Sequence, residues 1–270
     1  MRAVSLVPSL TETLFALGAG DDVVGITDFC IFPENIDRAH VGGTKTPKID
    51  RIRELKPDVV YVNIEENLKK HADEIATFAK VIATEPKTID DVADLIAMLG
   101  RNHGREERAQ ELIDQLRTAN SERRTFTFVV PIWKKPWMWC GGDTYVSHLV
   151  ESAGGRNLLG DRQRYPAIAL DEVLAMKPDV VFLPDEPYEF TQEDAESIAA
   201  PHPALRATLS RGRGRLNVIG PFPGHLFTWH GVRTIEGLKF LRRALRLLPP
   251  TAGSSRRPRR AASRKSGRSR

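Results

Sequence analysis

The chain has 270 residues, 41 % of them hydrophobic, enough for one large domain or two of about 120 residues each. Its apolar runs are far too short to cross a bilayer. The formal charge of +5 is local: eight Lys and Arg and no acid lie between Thr251 and Arg270, and removing them leaves residues 1–250 at −3. Nucleic-acid binding is thereby confined to the tail.

From the start, Met1-Arg2 leads into an apolar run, Ala3 to Val7, which Pro8 ends. That run is too short for the apolar core of a secretory signal, so the sequence as written predicts a cytoplasmic protein. A mis-assigned start codon would instead allow a leader and a periplasmic location. Ala3 to Val7 is expected to form a buried strand, followed by a helix to Leu17 capped by Ser9 in the S-x-x-E arrangement Ser9-Leu10-Thr11-Glu12. Gly18 and Gly20 end that helix, and Val23 to Ile26 forms the next strand.

A longer pattern then occurs twice. Ile49-Asp50 through Lys56-Pro57-Asp58-Val59-Val60-Tyr61-Val62 returns 121 residues later as Leu170-Asp171 through Lys177-Pro178-Asp179-Val180-Val181-Phe182-Leu183. Each copy reads as a short helix with its Asp at the N-cap, stopped by Pro, feeding a strand apolar on both faces. Two such units so far apart predict two similar lobes with a cleft between them.

Between the copies, Asn67 to Phe78, Lys80 to Ala83 and Ile89 to Leu99 read as helix, strand and helix. The alternation predicts α/β lobes with open parallel sheets, helices on both faces. Ala109, Leu112, Ile113 and Leu116 then mark one face of a helix from Arg105 to Arg123. It would be about 28 Å long, a rigid strut between lobes or a surface helix of one of them. The resulting division is an N-terminal lobe over 1–100, a bridging helix over 101–124, a C-terminal lobe over 125–250 and a disordered basic tail over 251–270.

Local catalytic motifs are missing. Gly42-Gly43-Thr44-Lys45-Thr46 lacks the phosphate-loop order, Gly18-Ala19-Gly20 lacks a dinucleotide fingerprint, and no nucleophile elbow or H-E-x-x-H is present. Glu186 beside Tyr188 is the nearest approach to an acid–base pair, so no catalytic residue is assigned. Cys30 and Cys140, outside any C-x-x-C pair, read as reduced thiols. His225 and His230 lack a third ligand nearby, so no metal site is assigned and a hydrogen-bonding role is preferred. Instead, Trp133, Trp137, Trp139, Tyr165, Phe227 and Trp229 fall in loops or at strand ends. Such rings either line a cleft for a large, partly apolar ligand or plug the lobes.

In order and spacing, the chain resembles the helical-backbone substrate-binding proteins of ABC importers. The resemblance is carried by Val4-Ser5-Leu6-Val7-Pro8-Ser9 with Thr11-Glu12, Ala16-Leu17-Gly18 and Val23-Val24-Gly25, and Phe32-Pro33. It continues through Ile52 to Val60, Gly154-Gly155-Arg156-Asn157, Tyr165-Pro166, Asp171 to Val180, and Trp229-His230-Gly231 with Arg233. It implies two Rossmann-like lobes bridged by one long backbone helix. It also implies a monomeric, non-catalytic receptor for cobalamin, haem or a ferric siderophore, with no intrinsic cofactor, delivering its ligand to a permease. Carried over by position, the ligand-facing residues are Phe29, Thr44, Trp137, Tyr165, His225, Phe227 and Trp229, and the permease-docking acids are Asp50 and Asp171. A cytoplasmic chelate carrier or sensor, or an enzyme acting on the bound chelate, are the alternatives.

Overall fold

The computed structural model describes residues 1–200 and 216–248. The basic tail, and the expectation that it is disordered, lie outside the described residues.

In the first lobe the chain runs β1 (Ala3–Ser5), α1 (Pro8–Ala16), β2 (Val23–Ile26), β3 (Ala39–His40), α2 (Ile49–Glu54), β4 (Val59–Asn63), α3 (Lys69–Ile75), β5 (Lys80–Thr84) and α4 (Ile89–His103). The strands pair in parallel in the order β3-β2-β1-β4-β5. After α5 (Glu106–Ala119), the second lobe runs β6 (Phe126–Val129), β7 (Pro131–Trp133), β8 (Met138–Trp139), α6 (Tyr145–Ser152), β9 (Gly155–Asn157) and α7 (Leu170–Ala175). It continues with β10 (Val180–Pro184), α8 (Gln192–Ala199), β11 (Asn217–Phe222), α9 (His225–Thr228) and α10 (Arg233–Leu247). Its parallel sheet has the order β11-β10-β6-β9, and β7 and β8 form a small antiparallel ribbon beside it.

The two repeat units are α2–β4 and α7–β10. Every residue of β4 and of β10 is buried, as the unbroken apolar runs require of strands covered on both faces. Lys56 and Lys177 both adopt positive φ, 46° and 61°, ending their helices one residue before Pro57 and Pro178. The next residue ties the strand to its neighbour: Asp58 accepts the Arg2 amide at 2.7 Å, and Asp179 accepts the amide and hydroxyl of Thr127, each at 2.8 Å. The capping expectation is corrected. Lys48 and Ala169 occupy the N-caps without side-chain bonds, and Asp50 and Asp171 sit in the first helical turn. There a carboxylate favours the positive helix end without closing a cap.

Ser9 is likewise not a cap. Pro8 starts α1, because its fixed φ and missing N–H suit a first turn, and Ser9 lies inside the helix with its hydroxyl 3.3 Å from Nε2 of His230. Reciprocal capping boxes occur instead at Thr88 with Asp91 and Thr191 with Asp194.

α5 is shorter than the 105–123 span expected, ending at Ala119. Its fourteen residues make a rod of about 21 Å. The expected face is right: Ala109, Leu112, Ile113 and Leu116 are buried, packed on α4 of the first lobe and α10 of the second. Gly100 permits the close crossing with α4, since a Cβ there would stand 2.5 Å from Cβ of Ala109. One core therefore runs through both lobes, from Leu10 and Leu14 on α1 through Leu112 and Leu116 to Phe182 and Leu238. Among the described residues no helix is long and apolar enough to cross a membrane.

Candidate ligand-binding cleft

In an open parallel sheet, the chain departs to opposite faces on either side of a switch point, leaving a crevice beyond the strand ends. The strand orders put that point between β1 and β4 in one lobe and between β6 and β10 in the other. A cavity of about 390 Å³ lies there, within the range of small-molecule sites. The first lobe contributes Asn63, Glu65 and Glu66 after β4, and Glu85, Pro86 and Lys87 after β5. From the second lobe come Ile132, Tyr145, Val146, Arg164 and Tyr165, with Glu186 and Pro187 after β10. Thr228, Trp229 and His230 complete the wall.

Contacts between lobes hold this geometry on two sides of the cavity. On one side Glu65 accepts Nη1 of Arg164 at 2.7 Å and the Tyr165 hydroxyl at 3.2 Å. On the other, Arg233 of α10 grips Glu12 of α1 bidentately, with Nε 2.9 Å from one carboxylate oxygen. The Arg233 guanidinium lies 4.1 Å over the Phe32 ring, which meets the rings of His225 and Trp229 edge-on at 5.3 and 5.9 Å. Thr13 Oγ1 accepts the Val232 amide at 3.1 Å, and Gly231, at φ 80°, lets the chain pass against Thr13.

Electrostatically the cavity is acidic. Burial pushes Glu66 up to about 7, with the Glu186 and Glu65 charges adding to the effect and Lys45 opposing it. Burial also raises Glu186, whose carboxylate accepts the Thr228 hydroxyl at 3.0 Å. His230 is pushed down to about 4 by burial and is neutral near pH 7. Burial and the adjoining Glu65 carboxylate raise the Tyr165 hydroxyl.

Of the seven ligand-facing residues carried over by position, Tyr165 and Trp229 line the cavity. His225 stands behind Trp229, at 5.7 Å between ring centres. Phe227 is 0 % exposed and packs among Phe182, Phe222 and Phe240. Its assignment is corrected: the one-turn helix α9 rotates it into the core. Trp137 stacks between Trp139 and Phe190 against the second-lobe core, outside the cavity lining. Phe29, 59 % exposed, and Thr44, whose carbonyl accepts Asn67, belong to first-lobe loops outside the lining. Tyr188 packs on Trp133 and Phe190, so it forms no pair with Glu186.

The carboxylates were not singled out as ligand residues by sequence reasoning, yet a signal existed. Glu65 and Glu186 are equivalent in the internal repeat, each two residues beyond its strand, where the switch-point rule places ligand contacts.

A family profile described as periplasmic binding protein matches residues 4–208. The chain belongs to that family. Among curated relatives, the vitamin B12-binding protein of Yersinia pestis (strain Pestoides F) is 26 % identical over 212 residues, covering 74 % of this chain and 73 % of the relative. Among solved structures, the periplasmic vitamin B12-binding protein of Vibrio cholerae superposes with a TM-score of 0.74 at 20 % identity, covering 92 % of this chain and 97 % of that one. The periplasmic haem-binding protein of Vibrio cholerae gives 0.75 at 19 % identity, covering 92 % and 99 %. An ABC-type Fe3+-hydroxamate transport system protein from Saccharomonospora viridis DSM 43017 gives 0.65 at 20 % identity, covering 90 % and 92 %. At such identities the superpositions establish the two-lobed fold.

Proposed function

We propose that this periplasmic binding protein captures cobalamin or a similar metal chelate between its lobes and passes it unchanged to an ABC importer. The observation that carries the reading is the interlobe cavity at both switch points, walled by Tyr165 and Trp229 and by side chains from both sheets. Flat rings and excluded water supply affinity for a bulky, partly apolar ligand, and the cavity's polar groups supply orientation. The names of the relatives, for vitamin B12, haem and ferric hydroxamates, supply the ligand class.

A binding role also suits the hydroxyls of the cavity. Tyr145 pairs with Thr234 at 2.7 Å, Tyr165 with Glu65 and Thr228 with Glu186. Docking falls to Asp50 and Asp171, in equivalent first turns of α2 and α7, one on each lobe. Asp50 is 93 % exposed and bonded to Arg53 at 2.6 Å, an exchange a permease arginine can make at little cost. Delivery to an importer places the protein outside the cytoplasmic membrane, which fractionation of producing cells tests; recovery in the cytosol favours a chelate carrier instead.

Equilibrium dialysis against cyanocobalamin, hemin and ferrioxamine B, followed by mass spectrometry of the released ligand, tests the whole reading. Saturable retention of at least one, recovered intact, is the expected result. Retention of none contradicts chelate binding, and recovery of an altered chelate contradicts the non-catalytic role.

A further inference from the structure

The charges around the cavity do not balance. Four glutamates line it against one lysine and one arginine. Arg164 is taken by Glu65 at 2.7 Å, and Lys87 by Glu85 at 3.0 Å. Among the described residues neither Glu66 nor Glu186 has an ion-pair partner. They stand on opposite lobes, after β4 and after β10. Lys45, whose ammonium donates to the Glu65 carbonyl at 2.7 Å, favours the ionised form of Glu66 but makes no ion pair with it, and burial still outweighs it. Arg233 is spent on Glu12.

The third group is His230, which among the described residues is paired on one ring nitrogen only. It is 5 % exposed and lines the same cavity. Its Nε2 meets the Ser9 hydroxyl at 3.3 Å, while its other ring nitrogen has no partner among the described residues and is not sealed from solvent. A buried, neutral imidazole with a free nitrogen offers hydrogen bonding without adding positive charge. Among the described residues the cavity thus carries two carboxylates without an ion-pair partner and one ring nitrogen without a hydrogen bond. A partly buried carboxylate without a cation costs free energy that an oppositely charged ligand group recovers.

We propose that the cavity is built for a chelate carrying positive charge, its ammonium or cationic face held between Glu66 and Glu186. This rests on the reading that the cavity binds a metal chelate, and narrows it. A haem bearing two carboxylates is the wrong partner for this wall, since like charges in a partly dry site repel. The preference depends on pH. Glu66 is ionised above about 7 and protonated below it, so selectivity for the cation is largest in mildly alkaline solution and fades toward pH 5.5. Added salt weakens it as well.

Matched ligands isolate charge from shape. Ferrioxamine B carries a free ammonium, and its N-acetyl derivative does not. Cyanocobalamin is compared in the same way with an aminoalkyl derivative of itself, and hemin serves as the anionic probe. Isothermal titration at pH 8 and low salt reads the affinities, for the natural chain and for Glu66→Gln, Glu186→Gln and the double variant. In whichever pair binds, the cationic member should bind about tenfold tighter or more, the size of one charge-assisted hydrogen bond in a partly desolvated site. That preference should shrink at pH 5.5 in the natural chain, which needs no variant to fold, and approach unity in the double variant. Equal affinity within a pair, or hemin as the tightest ligand, overturns the charge inference while chelate binding stands. A preference that survives the double substitution overturns the assignment to Glu66 and Glu186. Binding of none of the five probes overturns both.

Discussion

Glu66→Gln should stabilise the fold, and by an amount that grows with pH. The folded carboxyl titrates at about 7 and an ordinary one at 4.5. Below 4.5 both states hold the proton and Glu66 contributes nothing to pH dependence. Between 4.5 and 7 the unfolded chain releases its proton while the folded chain keeps it, so stability falls as pH rises. Above 7 the penalty is complete. A gap of about 2.5 pH units at about 1.36 kcal/mol each sets its upper size near 3 kcal/mol. Glutamine keeps the shape and removes the charge, so at pH 8 the variant should melt about 5–10 °C higher, and near pH 4 the two should coincide. His230 works in the opposite sense. Its folded value near 4 lies below the ordinary 6.5, so its contribution is present above 6.5 and lost as pH falls toward 4. The two windows overlap, and the natural chain's own profile is flattened. The difference between variant and natural chain, measured by differential scanning calorimetry at pH 4, 6 and 8, is therefore the readout. A melting shift equal at all three values, or absent at pH 8, refutes the burial of an unpaired carboxylate.

Other substitutions probe the joint and the core. Arg233→Met strands the Glu12 carboxylate between lobes and should cost about 3 kcal/mol or more in chemical denaturation, with much of it restored by adding Glu12→Gln. Gly231→Ala sets a Cβ 2.2 Å from Thr13 Oγ1 at a φ of 80°, so a loss above about 1 kcal/mol is expected in the same assay. Phe227→Ala should cost about 3–5 kcal/mol because the ring is wholly buried, whereas Phe29→Ala on the surface should stay within about 0.5 kcal/mol. Equal costs for the two would contradict their placement.

The features written in local residue order were legible in the sequence. Lys-Pro-Asp followed by an apolar run located β4 and β10, and the spacing of Ala109, Leu112, Ile113 and Leu116 identified the buried face of α5. Caps were read less well, because Asp50, Asp171 and Ser9 have capping chemistry at positions one or two residues inside their helices, where Pro8 in particular fixes the start. The binding wall was harder still. Ring-rich loops suggested a slot, yet a one-turn helix carries Phe227 inward and stacking on Trp139 and Phe190 occupies Trp137, and each depends in part on a partner distant in sequence, Phe182 for Phe227 and Phe190 for Trp137. Trp229 and Tyr165 reach the cavity because Arg233 with Phe32 and Arg164 with Glu65 hold the neighbouring segments across the lobes. The acidic lining was legible only in the equivalence of Glu65 with its repeat partner Glu186, a comparison that matters once both strands are known to end at the same cleft.

Trp229 is the one tryptophan of the four that lines the cavity, which makes its emission the most direct reporter of a ligand there. Titrating the natural protein and Trp229→Phe with whichever chelate is retained should give saturable quenching in the first and loss of most of that quenching in the second. Quenching of the same depth in the variant would place the ligand elsewhere and contradict an interlobe receptor site.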